Sequence, residues 1–271
     1  MNIIPLTPQI GAEVEDIVLT KPPAPHDIEV IKQALTDHLV LIFRDQPMTV
    51  KSLDAFGRLF GPPHIHPSDP GINGYPSVLT VHTDANSTTY AGSKWHSDVS
   101  CDAKPPMASI LHLHEVPDNG GDTLFANMYA AYDALSDAMK SCLASLRAIN
   151  ASEHHFKGYF GTVNKHALRD DLYPESIHPV VRTHPETGKK ALFVNPTFTT
   201  GITDMYPQES EAILGFLYQH LAEPRFQCRV KWRPNTMTMW DNRCTQHLAM
   251  WDYYPDTRSG HRYTVEGDQP Y

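Results

Sequence analysis

Apolar residues recur at helical spacing over Asp27–His38, where Ile28, Ile31 and Leu35 share one face. The stretch Leu39–Phe43 that follows is uninterrupted apolar and predicts a strand buried on both sides. Thr49 is placed to cap a second helix, whose Val50, Leu53, Phe56 and Phe60 form its inner face. From Gly61 to Trp95 the chain is rich in Pro, Gly, Ser, Thr and Asn, which predicts a long surface excursion broken by one strand, Val78–His82. Further strands are expected at Ala108–His114, Asp122–Ala126, Val180–Thr183, Ala191–Val194, Phe226–Trp232, Thr236–Trp240 and Arg262–Val265. Helices are expected at Met128–Ile149, capped by Asn127, and at Pro207–Leu221. Many short strands without regular β-α alternation predict a mainly β fold with peripheral helices, an antiparallel barrel or double-sheet jelly roll. We read 1–271 as one domain, with lid segments near 62–95 and 151–175, because loops that long usually serve a site.

Composition narrows the classes. With Lys+Arg 22 against Asp+Glu 31 the formal net charge is −9, the wrong sign for a protein held to nucleic acid by phosphate neutralisation. No apolar run approaches the length of a membrane span. The opening residues show no basic stretch leading into an apolar one, and Cys101, Cys142, Cys228 and Cys244 form no C-x-x-C, so the expected compartment is the cytoplasm. Twenty-three prolines argue against a helical bundle. Phosphate-loop, dinucleotide-fold, serine-hydrolase and zincin motifs are all missing.

A β-barrel that carries chemistry usually takes it from a metal or cofactor in its mouth. In a strand, residues i and i+2 face the same way, so His-x-Asp can offer two ligands to one ion. The pattern occurs at His82-Thr83-Asp84 and at His96-Ser97-Asp98, with a His-x-Glu at His184-Pro185-Glu186; among 16 histidines, spacing alone selects nothing. Surroundings favour His96 and Asp98. Trp95 precedes them, Gly120-Gly121-Asp122-Thr123 follows, and Trp240-Asp241-Asn242-Arg243 leads to His247 and then to Arg258 and Arg262. Two histidines and a carboxylate leave open positions on an octahedral ion, the arrangement of non-haem Fe(II) oxygenases. A nearby guanidinium can hold a carboxylate by two hydrogen bonds.

These motifs, with the Asn2–Gly11 opening, His64-Ile65-His66-Pro67, Phe193–Pro196 with Thr197–Ile202, and arginines 11 and 15 residues after His247, resemble the taurine dioxygenase family of Fe(II)/2-oxoglutarate-dependent dioxygenases. The resemblance covers most of the chain. It implies a double-stranded β-helix (jelly-roll, cupin-like) core with iron on His96, Asp98 and His247. It implies that Thr123 and Arg258 hold the distal carboxylate of 2-oxoglutarate, and that His66 and Arg262 hold an anionic substrate head. The implied reaction consumes O2, decarboxylates 2-oxoglutarate to succinate and CO2, and hydroxylates a small anionic substrate. A taurine-like sulfonate leads; an alkyl sulfate or an aryloxyalkanoate is the alternative. Members that oxidise taurine carry a tyrosine and an asparagine where this chain has Asp69 and Gly92, a departure in the substrate pocket. Relatives are commonly dimers or tetramers, so a homo-oligomer is expected.

Two other classes stay in view. A non-catalytic metal- or anion-binding barrel would use the same residues without turnover. A zinc hydrolase would use the triad but give Thr123 and Arg258 no task. His64, His112 and His114 read as structural, His82 with Asp84 as a decoy, and Trp95 and Trp240 as packing around the ligands. Phe156, Tyr159 and Phe198 are candidates for a pocket wall.

Overall fold

The computed structural model describes residues 1–160 and 173–271. Strands β1 (Asn2–Pro5), β2 (Ala12–Glu15), β3 (Val40–Phe43), β4 (Val78–Thr83) and β5 (Ala108–Glu115) precede β6 (Thr123–Asn127), β7 (Arg147–Ala151), β8 (Glu175–Pro179), β9 (Val181–Thr183) and β10 (Lys190–Leu192). The chain closes with β11 (Thr199–Ile202), β12 (Gln227–Val230), β13 (Thr236–Asp241), β14 (Thr245–Ala249) and β15 (Arg258–Val265). The helices are α1 (Pro25–His38), α2 (Val50–Gly57), α3 (Met128–Asp133), α4 (Asp137–Leu143), α5 (Glu153–Phe160) and α6 (Pro207–Leu221).

A seven-stranded sheet runs β1-β2-β3-β13-β5-β15-β4, and a three-stranded sheet runs β12-β6-β14. Every pairing in them is antiparallel except β2 with β3. Alternation along the central strands shows how the layers stack. Leu41, Phe43, Ile110, Met237 and Met239 pack with Ile31, Leu35, Leu53 and Phe56 of the two N-terminal helices. Their neighbours Val40, Ile42, Leu111, Leu113 and Trp240 turn the other way and join Phe125 and Val230 of the smaller sheet. The long sheet is thus covered by helices on one face and by the short sheet on the other. This is the mainly β, double-sheet arrangement with outer helices that the pattern predicted, and it explains why β3 is buried at all four positions.

Local signals held at several places. Thr49 caps α2 and forms a reciprocal capping box with Ser52. Asn127 caps α3 through its side-chain oxygen. The expected helix over Met128–Ile149 is corrected: α3 stops at Asp133, Ser136 caps a new helix by accepting from Met139 N, and β7 follows. Strand β7 is recruited by pairing with both β8 and β11, a tertiary gain that the local pattern does not carry. Strand β14 and the first half of β15 escape the periodicity because they carry buried polar side chains, His247 and Arg258 lining the cavity and Thr245 and Gln246 bonding backbone carbonyls. Among the described residues no helix is long and apolar enough to cross a membrane. Residues 161–172 of the expected second lid, and the side chain of Tyr159, lie outside what is described.

Candidate active site

The cavity opens between the two sheets. His96 sits on no strand. It makes an isolated antiparallel bridge with His247, donating N–H to the His247 carbonyl at 3.1 Å and accepting from His247 N at 2.8 Å. Asp98 begins the following turn, where Val99 takes a φ of +45°. A single bridge to β14, rather than a strand of its own, positions His96, and the turn that follows brings Asp98 beside both rings.

Three potential ligands converge. The His96 and His247 rings lie tilted against each other with centroids 4.0 Å apart, and their Nε2 atoms lie 3.7 and 3.9 Å from Asp98 Oδ1. All three side chains are buried. His96 gives its Nδ1 hydrogen to the Lys94 carbonyl at 2.8 Å, which leaves Nε2 with the lone pair toward the cavity. Burial pushes the pKa of both histidines down, for His247 with His96 adding to it, so they stand neutral. For Asp98 burial opposes ionisation, but Arg262, then His247 and His96, and a hydrogen bond from Ser109 hold its carboxyl well below the ordinary range. Two neutral imidazoles and one carboxylate are the protonation states a divalent ion requires.

The carboxylate is braced from behind. Ser109 Oγ donates to Asp98 Oδ2 at 2.6 Å and accepts from Asn242 Nδ2 at 2.9 Å. Asn242 Oδ1 in turn accepts from Trp240 Nε1 at 2.9 Å and from Asp98 N at 3.3 Å. Phe125 and Trp240 lie against the His247 ring at 5.8 and 4.8 Å between centroids, an apolar wall. Ser109 and Asn242 are site residues that the sequence reading missed; Asn242 lay inside a motif singled out only as a landmark.

On the far side of His247, Thr123 and Arg258 meet at 3.5 Å. Arg258 is buried, has no ion pair among the described residues, and keeps its Nε without a hydrogen-bond partner. Burial pulls its pKa down. A buried guanidinium without a carboxylate is costly, and an incoming carboxylate removes that cost. Gly121, at φ +70°, would place a Cβ 3.2 Å from Tyr253 and 3.4 Å from Arg258 Cδ, so glycine lets this turn close over the arginine.

His66 and Arg262 reach the same cavity from opposite walls, with Asp69 beside them. Arg262 also donates Nη1 to Asp98 Oδ1 at 2.7 Å, so it touches a candidate ligand as well as the cavity. Asp69 accepts from Gly71 N at 2.8 Å, a turn contact that fixes its carboxylate at the wall. At Gly92, where φ is +84°, a Cβ would stand 3.3 Å from His96 Cε1, so a side chain there would crowd a candidate ligand. Phe156 lies 5.1 Å from His66 and edge-on to Phe198 at 5.9 Å between ring centroids, and both phenylalanines belong to a small buried cluster with Val99 and Cys101, the core alternative to a pocket wall. His82 and Asp84 are 3.7 Å apart and partly exposed, and among the described residues they have no third metal-capable group beside them.

A double-sheet fold enclosing a convergent His/Asp/His set, with a buried unpaired guanidinium behind it, defines the class of facial-triad metal oxygenases that use a carboxylate cosubstrate. The family model for taurine catabolism dioxygenases TauD and TfdA matches residues 2–264, and the chain belongs to that family of 2-oxoglutarate-dependent oxidoreductases. It is 32% identical to the alpha-ketoglutarate-dependent sulfonate dioxygenase of Saccharomyces cerevisiae, over 100% of this chain and 68% of that one. It is 32% identical to the alkylsulfatase of Acinetobacter baylyi, over 97% and 84%. The structure of a taurine dioxygenase from Burkholderia xenovorans superposes with a TM-score of 0.85 at 33% identity, covering 99% of this chain and 92% of that one. The chain spans 61% of the length of a 36%-identical Schizosaccharomyces pombe relative.

Proposed function

We propose that this protein is an Fe(II)- and 2-oxoglutarate-dependent dioxygenase that hydroxylates a small organic anion, a sulfonate first and a sulfate ester second. The observation that carries the reading is the pairing of a convergent His96/Asp98/His247 set with a buried, unpaired Arg258 in one cavity. A zinc hydrolase has no use for the second element, and a non-catalytic barrel is separated by its lack of turnover.

His96, Asp98 and His247 would hold the iron through Nε2, a carboxylate oxygen and Nε2. When bound, iron supplies the oxidising chemistry that couples O2 to decarboxylation of 2-oxoglutarate and to substrate hydroxylation. The chain's own residues do the positioning. Lys94 carbonyl fixes the His96 tautomer, and Ser109 with Asn242 fixes the carboxylate plane. Arg258 and the Thr123 hydroxyl receive the distal carboxylate of 2-oxoglutarate. His66 and Arg262 receive the anionic head of the substrate, and Arg262 links that head to Asp98. Phe125 and Trp240 keep water from the side of His247. Cys142, Cys228 and Cys244 carry free thiols, which suits a cytoplasmic enzyme.

The test is succinate release by anaerobically purified protein given Fe(II), 2-oxoglutarate and O2, with sulfonates, alkyl sulfates and aryloxyalkanoates each beside a substrate-free control. Succinate above control with a sulfonate or a sulfate ester is expected. No succinate from iron-loaded protein under any condition would end the oxygenase reading.

A further inference from the structure

The residues assigned to the cosubstrate do not stand alone. Trp232 lies just past β12, whose register sets Val230 opposite Thr123. Its indole Nε1 donates to Thr123 Oγ1 at 3.0 Å, and both side chains are buried. The same ring lies beneath the Arg258 guanidinium, 5.4 Å from its centroid. One aromatic side chain therefore touches both groups.

A threonine hydroxyl has one hydrogen to give and two lone pairs to receive with. Here Oγ1 receives from Trp232 at 3.0 Å and from Arg258 Nη2 at 3.5 Å, and its own hydrogen has no acceptor among the described residues. With both lone pairs engaged, that hydrogen can only point away, into the cavity that Thr123, Arg258 and His247 line together. A carboxylate is acceptor-only, so this is the orientation it requires. The aromatic face meanwhile restrains the guanidinium plane, an attraction worth more in a desolvated site.

We propose that Trp232 is the positioning residue of the 2-oxoglutarate subsite: its indole N–H turns the Thr123 hydroxyl into a donor and its ring seats Arg258, so that both present hydrogens to one distal carboxylate. This rests on the functional reading above. It adds a residue that touches no cosubstrate, and it makes Thr123, Trp232 and Arg258 a coupled unit.

The experiment measures 2-oxoglutarate binding by calorimetry on Mn(II)-loaded protein, and succinate turnover on the Fe(II) form, for the unmodified chain, Trp232→Phe, Thr123→Val and the double variant. Trp232→Phe keeps an aromatic face but removes the N–H together with the pyrrole half of the indole. It should weaken 2-oxoglutarate binding about tenfold and raise its KM alike, the scale of one hydrogen bond in the charge-assisted range, with Mn(II) affinity and kcat at saturation little changed. The double variant should bind no more weakly than Thr123→Val alone, because the N–H acts through that hydroxyl. Equal binding by Trp232→Phe and the unmodified chain would overturn the proposal, as would additive losses in the double variant. A thermal melt matching the unmodified protein secures the comparison; should Trp232→Phe melt early, the Thr123→Ser variant, which keeps the acceptor, must bind 2-oxoglutarate better than Thr123→Val or the proposal falls. Failure of the unmodified, metal-loaded chain to bind 2-oxoglutarate would instead sink the functional reading beneath it.

Discussion

Two buried clusters in this molecule place a histidine and an aspartate beside a third metal-capable side chain: His96, Asp98 and His247, and His184, Asp241 and Cys244. They differ in how the carboxylate is spent. Asp241 accepts from Arg243 Nε at 2.9 Å, Arg243 Nη2 at 2.7 Å, the Arg243 amide at 2.8 Å and His184 Nε2 at 3.1 Å. Burial and then Asp241 keep the Cys244 thiol well above its ordinary pKa, hence protonated. Every lone pair that a cation would need is already taken. At Asp98 the second oxygen is held by Ser109 and the first accepts from Arg262 Nη1 at 2.7 Å, yet that first oxygen also has the Nε2 atoms of two neutral imidazoles 3.7 and 3.9 Å away. Four donors close Asp241 into a structural pin, whereas Asp98 keeps two imidazole nitrogens with free lone pairs beside one oxygen, and that convergence makes a candidate site.

The largest effect that separates the two clusters should come from Asp98→Ala. It should abolish turnover, by about a thousandfold or more, and remove tight Fe(II) or Mn(II) binding, while the fold persists. Calorimetric metal titration checks this, and retained binding would remove Asp98 from the ligand set. Next comes Arg258→Ala, which should raise the KM for 2-oxoglutarate up to about a hundredfold, the loss expected of hydrogen bonds to a charged group. A KM that moves less than twofold would place the cosubstrate elsewhere. Asp241→Asn inverts the pattern: breaking the buried pair should cost about 3–5 kcal/mol in denaturant unfolding, with metal still bound one to one by the folded fraction. Loss of metal at full stability would show that the second cluster is no mere pin. Ser109→Ala should lower metal affinity roughly tenfold through the freed carboxylate, measured by the same titration, and an unchanged affinity would reject the bracing role.

The smallest effect concerns a histidine that belongs to neither cluster. Burial first, with His114 and His261 adding to it, pushes His112 down to about 4 from 6.5. Between those two values the unfolded chain binds a proton that the folded chain refuses, so stability falls as pH drops from about 6.5 through 4. His112→Gln should make the decline in Tm over that window shallower, and parallel profiles would clear His112 of the effect.

How much of this was legible beforehand depends on where each signal lies. Leu39–Phe43, the Thr49 cap and the Pro207–Leu221 helix were readable because their determinants are within a few residues of one another. The triad was readable only through motifs taken together, since His82 with Asp84 has the same spacing as His96 with Asp98. The polar strands β14 and β15 were obscured by the very side chains that line the cavity. Ser109 sits inside an apolar strand, Ser-Ile-Leu, and nothing near it in sequence marks it as the support of Asp98.

The chain by itself therefore determined the strand-rich class, the formal net charge of −9, and the motifs that mark His96, Asp98, His247, Arg258 and Arg262 as candidates. Tertiary structure decided the rest. It chose which histidine and aspartate stand open beside a second histidine and which are closed by Arg243, and it brought Trp232 against Arg258 and onto Thr123, 109 residues away in sequence. The reason is physical: a side chain's type sets what it can donate or accept, but only the packed neighbours settle whether those capacities are used up or left open to a ligand.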